Sequence, residues 1–187
     1  MSYCATCDGA FYVESPVAVV GVTAEAIQEA EFLTKFASTV HWITPKPIAE
    51  TNVAAKELLE HKNVKHWVNT KLVEIEGDDA GVTGMKIKKM GEEEQEHLDV
   101  EGVFIYDAGS KPITDYITSK VEFRPDGGVA VNEEMATTVP GVYAIGDIRN
   151  TPFKQVVVAA ADGCIAAMAI DKYLKGRKSI KVDWVHI

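Results

Sequence analysis

Short apolar runs alternate with stretches of helical spacing along the first part of the chain. Residues 17–20 are apolar at every position, which is typical of a parallel strand that is buried on both faces. Residues 24–36 carry apolar side chains at helical spacing, and residues 39–43 form a β-branched and aromatic run. This order predicts a strand–helix–strand unit of the kind that builds a nucleotide-binding sheet.

The hydrophobic pattern continues with a further helix and several short strands before residue 112. A helix is predicted at residues 52–61, and buried strands are predicted at residues 64–68 and 103–106. Between those two strands, alternating segments predict an antiparallel meander, at residues 72–76, 83–89 and 96–100.

Beyond residue 112 the pattern changes. Short strands are predicted at residues 129–131 and 142–145, and a long helix at about residues 153–174. The predicted fold class is therefore α/β. A Rossmann-like, three-layer nucleotide-binding domain with an antiparallel meander occupies residues 1–112, and part of a second α/β domain occupies residues 113–187.

Charge and length limit the classes of function. The chain has 187 residues and a formal net charge of −9, which argues against nucleic acid as a partner because phosphate contacts need clustered lysine and arginine. No apolar run approaches the roughly 20 residues that span a bilayer, and no secretory leader follows Met1. We therefore expect a cytoplasmic protein with no membrane partner.

The cysteines indicate redox chemistry rather than a structural role. The chain has three, Cys4, Cys7 and Cys164, which is not a set from which a disulfide framework is built. A single C-x-x-C lacks the four ligands of a structural zinc site, and the five histidines show no ligand spacing, so no metal site is predicted. Cys164 falls on an apolar helical face, where we expect a packed core thiol.

Cys4 and Cys7 are predicted to form a redox-active pair with Asp8 beside them. Two cysteines at this spacing close a small disulfide loop on the first turn of a helix, where the helix N-terminus favours a thiolate. A carboxyl group next to Cys7 can take or give the proton that thiol–disulfide exchange requires. The alternative is that both cysteines stay reduced and pack as small hydrophobic side chains.

Three segments make the chain resemble a known family. Residues 2–11, which read Ser-Tyr-Cys-Ala-Thr-Cys-Asp-Gly-Ala-Phe, look like the redox motif of the low-molecular-weight thioredoxin reductases. Residues 141–147 resemble that family's C-terminal flavin motif, and residues 153–155 and 159–164 are similar to its last helix. The resemblance covers essentially the whole chain in the family's order.

The resemblance implies a flavoprotein disulfide reductase. Enzymes of this family pass a hydride from NADPH to FAD, and electrons then reach the disulfide and finally thioredoxin. Cys4 and Cys7 would be the redox pair and Asp8 the acid–base residue. Residues 1–112 would correspond to the NAD(P)-type domain that carries the redox pair, and residues 113–187 to the C-terminal segment of the FAD-binding domain.

The resemblance also implies which residues contact FAD. Gly146 and Asp147 end the flavin motif, and Asp147 would hydrogen-bond the ribityl or phosphate region. Lys154, Gln155 and Val156 would lie near the isoalloxazine ring. The family's N-terminal FAD half, with its G-x-G-x-x-G fingerprint, has no counterpart in these 187 residues, so FAD binding by this chain alone stays open.

The nicotinamide loop departs from the family's pattern. Gly21 and Ala26 are retained, but Val22 and Thr23 replace glycines that let a backbone approach phosphate, and Glu25 adds a negative charge. The arginines that grip the 2′-phosphate in the family are replaced by residues 44–47, Thr-Pro-Lys-Pro. We therefore do not expect NADPH binding. These losses resemble a branch of the family in which some members take electrons from ferredoxin.

Two hypotheses about function follow. The first is a thioredoxin-reductase-type disulfide oxidoreductase that passes electrons from flavin through Cys4 and Cys7 to a thioredoxin-like protein. The second is a non-catalytic binding or regulatory module, or a truncated remnant, that keeps the fold without the cofactor. Residues beyond about 113 would pack on the missing half in the family, so we expect a homodimer or a complementary chain.

Overall fold

The computed structural model describes residues 1–107, 112–118 and 120–179 of the chain. The chain divides into two compact units, Met1–Ser110 and Lys111–Ile187. The assignment of these units to nicotinamide-type and flavin-type domains stays a prediction.

The first unit contains a parallel sheet, two helices of eight or more residues and a meander. In chain order its elements are α1 (Ala5–Asp8), β1 (Pro16–Val20), α2 (Ala24–Leu33), β2 (Thr39–Thr44), α3 (Val53–Glu60), β3 (Val64–Val68), β4 (Thr70–Asp78), β5 (Gly81–Lys89), β6 (Gln95–Leu98) and β7 (Gly102–Ile105). The four strands of the first sheet lie in the order β3-β2-β1-β7, and each neighbouring pair is parallel. The predicted strand–helix–strand unit is confirmed as β1–α2–β2.

Strand β1 is apolar throughout because both faces of the sheet are covered. Val17 and Val19 pack in one cluster with the side chains of α2 and α3, such as Ile27 and Leu58. Ala18 and Val20 point to the opposite face, and they belong to a second cluster with side chains of the meander. Burial of one such aliphatic side chain is worth about 1.5–3 kcal/mol.

The antiparallel sheet β4-β5-β6 forms the third layer of the first unit. Met85 and Ile87 of β5 are buried against the parallel sheet, in the cluster that includes Val103. At the β4–β5 turn the carboxylate of Asp78 accepts hydrogen bonds from the amides of Ala80 and Gly81, at 2.8 and 3.2 Å. The unit therefore has the predicted order of helices, parallel sheet and meander.

The second unit consists mainly of loops and one long helix, α4 (Val156–Leu174). The strands predicted at residues 129–131 and 142–145 are wrong: among the described residues these segments form only isolated bridges, such as Val129 with Phe123 and Arg149, and Tyr143 with Ala136. Their backbone groups bond to turns rather than to a continuous neighbouring strand. The amide of Val129, for example, donates to the carbonyl oxygen of Ile148 at 2.9 Å.

Helices α2 and α4 are shorter than their hydrophobic patterns suggest. Helix α2 ends at Leu33 and Thr34 caps it, and the amides of Phe36 and Ala37 both bond to the carbonyl of Leu33. Helix α4 begins at Val156, after the cap residue Gln155. The expectation for Cys164 is also wrong, since its thiol is exposed on α4. Large apolar side chains of α4, such as Val157 and Met168, are exposed.

No helix in the part of the chain that the structure describes is long and apolar enough to cross a membrane.

Candidate active site

The two cysteines of the C-x-x-C motif form a disulfide at the start of α1. Cys4 is the N-cap residue of this four-residue helix, and its Sγ accepts a hydrogen bond from the amide of Cys7 at 3.1 Å. Cys7 is exposed and Cys4 is half-buried. The predicted position on the first turn of a helix is confirmed, and the exposure of Cys7 does not fit a thiol that packs as a hydrophobic side chain.

Ser2 links the carboxyl of Asp8 to the backbone of Cys4, the cap residue of α1. Its hydroxyl donates to Oδ2 of Asp8 at 2.7 Å and accepts from the amide of Cys4 at 3.1 Å. The backbone of Ser2 is itself bonded to β7, through Val103 and Ile105. Strand β7 therefore anchors the segment before α1, and Ser2 holds the half-buried carboxyl of Asp8, the residue that follows Cys7 in the chain.

A second group of contacts lies at the first residue of α1, Ala5. The amide of Ala5 donates to Oε2 of Glu29 at 2.7 Å and to the hydroxyl of Tyr106 at 3.1 Å. The Tyr106 hydroxyl donates to the same carboxylate at 3.2 Å. Burial, followed by the charge of Glu29, raises the pKa of Tyr106 well above its usual range.

The sequence analysis did not identify Glu29 or Tyr106. A signal was present in α2, where Glu29 lies one helical turn from the buried Ala26 and Leu33 and thus beside the apolar face. A carboxylate at the edge of a buried helical face needs a hydrogen-bond donor, and for Glu29 this donor is the amide of Ala5.

The retained residues of the degenerate loop, Gly21 and Ala26, meet protein atoms. Gly21 has φ +141°, and a Cβ there would lie 2.6 Å from the carbonyl oxygen of Tyr106. Thr23 is the N-cap of α2: its hydroxyl oxygen accepts from the amide of Ala26 at 3.1 Å, and the hydroxyl donates to the Tyr106 carbonyl at 3.3 Å. Glu25 lies in the first turn of the helix.

The flavin-motif residues of the second unit lie against α4. Gly146, in the 3₁₀ turn Gly146–Ile148, is buried with φ +68°, and a Cβ there would meet the Cβ of Ala159 at 3.2 Å. Its amide donates to Oδ2 of Asp162 at 3.0 Å. The neighbouring Asp147 is exposed. Glycine is thus required at position 146 by both backbone conformation and contact.

An ion pair that the sequence analysis did not select holds this turn. Asp162 is only 3% exposed, and it accepts two hydrogen bonds from the guanidinium of Arg149, one of them at 2.9 Å from Nη2. The Arg149 guanidinium holds the pKa of the Asp162 carboxyl below its usual range. A signal existed here too, because Asp162 interrupts the otherwise apolar middle of α4.

Lys154, Gln155 and Val156 surround the start of α4. Lys154 and Gln155 are half-buried, and Val156 is 86% exposed. The carbonyl of Gln155 accepts from the amides of Val158 and Ala159, both at 3.0 Å. Of the predicted FAD residues, the structure thus places Gly146 against α4 and the other four on accessible surface of the same unit.

Within the described residues, no group of three or more histidine, cysteine, aspartate or glutamate side chains could hold a metal ion.

Known proteins resemble the chain over nearly its whole length. The family model for pyridine nucleotide-disulphide oxidoreductases matches residues 1–163. A thioredoxin reductase from Aquifex aeolicus (strain VF5) is 43% identical over 98% of this chain and 57% of its own length.

Two solved structures give the same result. A thioredoxin reductase from Gloeobacter violaceus is 60% identical, with a TM-score of 0.60, over 99% of this chain and 57% of that one. The thioredoxin reductase from Streptococcus pyogenes MGAS5005 is 30% identical, with a TM-score of 0.83, over 94% of this chain and 57% of that one. The chain thus spans a little over half the length of these relatives. It belongs to the pyridine nucleotide-disulphide oxidoreductase family, and its relatives are thioredoxin reductases.

Proposed function

We propose that this chain is the disulfide-bearing part of a thioredoxin-reductase-type disulfide oxidoreductase. The observation that carries the proposal is the Cys4–Cys7 disulfide at the start of α1, with Cys7 exposed and the carboxyl of Asp8 adjacent in the chain. A pure binding role gives no physical reason for a disulfide, an accessible sulfur and a carboxyl at one place.

The proposed reaction is exchange with the disulfide of a thioredoxin-like protein. In the reduced chain, one thiolate of the pair attacks a partner sulfur and forms a mixed disulfide, and the other partner sulfur leaves. The second cysteine then attacks the mixed disulfide, which restores Cys4–Cys7 and releases the partner as a dithiol. Two electrons move to the partner, and Asp8 would take and give the protons.

The residues of the second unit fit a flavin. The exposed carboxylate of Asp147 can accept hydrogen bonds from sugar hydroxyls, and the buried Gly146 turn is fixed by Asp162, so the motif keeps its shape. Gly146, Asp147, Lys154, Gln155 and Val156 would hold FAD, which supplies the two electrons that reduce the disulfide. The binding site for the adenine half of FAD would come from the part of the relatives that this chain does not cover.

The loop of the first unit does not fit NADPH. The amide of Ala26 is already bonded to Thr23, and Gly21 makes room for the carbonyl of Tyr106 instead of a phosphate. Arg124, Arg149 and Arg177 all belong to the second unit, so none belongs to the loop after β2. We therefore propose that the electron donor is a small redox protein of the ferredoxin type.

The association state and the compartment are parts of the same proposal. Large apolar side chains of the second unit are exposed, including Val157 at 71% and Leu174 at 75%, and a complementary chain or a second copy would cover them. The exposed thiol of Cys164 favours a reducing compartment such as the cytoplasm.

The test is a redox titration of the chain in a Cys164→Ser background, which removes the third thiol. After equilibration in dithiothreitol buffers, mass-tagged alkylation should show a single two-electron transition for the Cys4–Cys7 pair. The pre-reduced protein should then convert one equivalent of oxidised thioredoxin. We expect Asp8→Asn to slow this transfer about 100-fold or more, the usual size of a general acid–base contribution.

Two controls interpret the titration. Cys7→Ser should abolish both the transition and the transfer, whereas Asp79→Asn, an exposed hairpin aspartate, should change neither. A pair that never oxidises reversibly would overturn the proposal and favour the non-catalytic module. Sustained reduction of thioredoxin by the isolated chain with NADPH would contradict the assignment of the donor.

A further inference from the structure

The N-terminal end of the redox helix is the meeting point of three segments that are far apart in the sequence. The amide of Ala5 is bonded to Glu29, 24 residues away, and to Tyr106, 101 residues away. Ala5 is completely buried, so its amide would be a costly orphan donor without an acceptor. One acceptor is enough to satisfy it, yet the structure supplies two.

The second acceptor brings a negative charge that hydrogen bonding alone does not require. The Tyr106 hydroxyl could satisfy the Ala5 amide by itself, since it lies 3.1 Å away. The Glu29 carboxylate lies closer, at 2.7 Å from an amide that directly follows Cys4 in the chain. A carboxylate that is bonded to the residue after a cysteine would disfavour the thiolate of that cysteine by repulsion between like charges.

Tyr106 is fixed so that it can hold this carboxylate. Its amide donates to the carbonyl of Val20 at 2.8 Å, and its carbonyl accepts from the hydroxyl of Thr23. Its side chain is buried, and the raised pKa of its hydroxyl keeps the proton that it donates to Glu29. The carboxylate is therefore held in one place relative to α1.

We infer that Glu29 and Tyr106 are positioning residues that set the reduction equilibrium of the Cys4–Cys7 couple. The carboxylate opposes the thiolate and so favours the disulfide over the dithiol. Other titratable groups in the same surroundings are Asp8 on α1, Tyr12, whose pKa is raised by burial and by the charge of Asp8, and Glu25, whose charge contributes to the raised pKa of Tyr106. Glu29 differs from them because its carboxylate is bonded directly to the backbone of α1.

The charge of Glu29 also affects how completely electrons leave the Cys4–Cys7 pair, a role that rests on the proposed function. A couple that disfavours its own dithiol is a stronger electron donor, so the reduced pair passes two electrons to a partner disulfide more completely. In the test, dithiothreitol supplies those two electrons to the Cys4–Cys7 disulfide and is itself oxidised to a cyclic disulfide. The released sulfurs either keep their charge or take protons from water.

The test compares three variants in the Cys164→Ser background. Glu29→Gln keeps an oxygen for the Ala5 amide but removes the charge, and Tyr106→Phe removes the hydroxyl that holds Glu29. Glu31→Gln is the matched control, since it makes the same change at an exposed position of the same helix. Two quantities are measured for each: the equilibrium constant with dithiothreitol and the pH dependence of iodoacetamide alkylation.

For Glu29→Gln we expect the alkylation midpoint to fall by about half to one pH unit, which is a three- to tenfold change in thiol ionisation. At a pH above the alkylation midpoint, where the thiolate is populated, the equilibrium with dithiothreitol should shift toward the reduced pair by about the same factor. Tyr106→Phe should shift both quantities in the same direction by a smaller amount, and Glu31→Gln should leave both unchanged. Circular dichroism shows whether each variant is folded. If Glu29→Gln is unfolded, the shift measured for Tyr106→Phe tests the inference instead.

The result separates this inference from the proposed function. If the parent shows a reversible couple but Glu29→Gln and Glu31→Gln behave alike, the role of Glu29 is wrong and the redox function stands. If the parent shows no reversible couple, the proposed function fails, and this inference fails with it.

Discussion

At the scale of single residues, the buried carboxylate of Asp162 is the clearest case of a side chain that supports other site residues. It bonds the guanidinium of Arg149 and the amide of Gly146 at once. The 3₁₀ turn Gly146–Ile148, which includes residues of the predicted flavin motif, is therefore attached to α4 through one charged group. Removal of that group leaves a partly buried guanidinium and a buried amide without their acceptor.

We expect Asp162→Asn to lower the stability of the second unit by about 1–3 kcal/mol at neutral pH, the usual cost of an unsatisfied buried group. The folded-state pKa of Asp162 lies below the unfolded value of about 3.9. The stability that the ionised Asp162 carboxylate contributes is therefore fully present above the unfolded pKa and is lost as pH falls through the lower folded pKa. Thermal unfolding between pH 7 and pH 2, followed by circular dichroism, measures this.

The control for this prediction is Asp171→Asn on the same helix. Asp171 forms ion pairs with Lys175 and Arg177 at the surface, so its replacement should cost less. The prediction fails if the two variants have the same stability at neutral pH, or if Asp162→Asn keeps the acid sensitivity of the parent.

At the scale of elements, the loop between β1 and α2 is shaped by the chain that follows β7. Gly21 lies under the carbonyl of Tyr106, and Thr23 bonds to the same carbonyl while it caps α2. The glycine and the threonine thus have structural reasons that involve no nucleotide. The same contacts connect this loop to the tyrosine that holds Glu29.

We expect Gly21→Ala to destabilise the first unit by about 2–4 kcal/mol, through a strained backbone conformation and a clash with backbone. Gly81→Ala separates the two causes. Gly81 has φ +144°, close to the +141° of Gly21, but a Cβ there would meet nothing within 4 Å. Gly81→Ala should lower the free energy of unfolding by only about 1 kcal/mol. Urea unfolding followed by tryptophan fluorescence measures both, and equal costs would rule out the contact with Tyr106.

At the scale of the whole molecule, the two units differ in how much apolar surface they bury. The first unit buries large side chains on both faces of its parallel sheet, such as Trp42 and Phe104 in one cluster and Met85 in the other. Among the described residues of the second unit, the buried apolar side chains are few: Val121, Val129, Met135, Ala166 and Ala169. Large apolar side chains of α4 remain exposed.

We expect the isolated chain to self-associate through α4, because exposed apolar surface of this kind favours association. Met168→Lys should weaken the association by about tenfold or more, which corresponds to about 1.4 kcal/mol. Met90→Lys, at a similarly exposed methionine of the first unit, should leave it unchanged. Sedimentation velocity over a range of concentrations measures this, and a monomeric parent at all concentrations would contradict it.

Local sequence pattern is enough to predict the order of elements in the first unit and the position of the Cys4–Cys7 pair at the start of a helix. Strand β1, helix α2 and the C-x-x-C turn follow from hydrophobic period and spacing, which are local properties of the chain. In the second unit the same approach was wrong for residues 129–131 and 142–145. A strand needs a continuous neighbour, and local pattern does not show whether one exists.

The groups that contact the start of α1, by contrast, depend on how distant segments pack together. The position of Glu29 beside the apolar face of α2 indicates that it has a partner but not which one. Glu29 and Tyr106 meet at Ala5 because α2 packs against α1 and Tyr106 directly follows β7. Asp162 likewise reaches Gly146 only because α4 lies against the 3₁₀ turn. Contacts between distant residues depend on packing rather than on local propensity, so the sequence pattern shows where the sulfurs are but not which charges act on them.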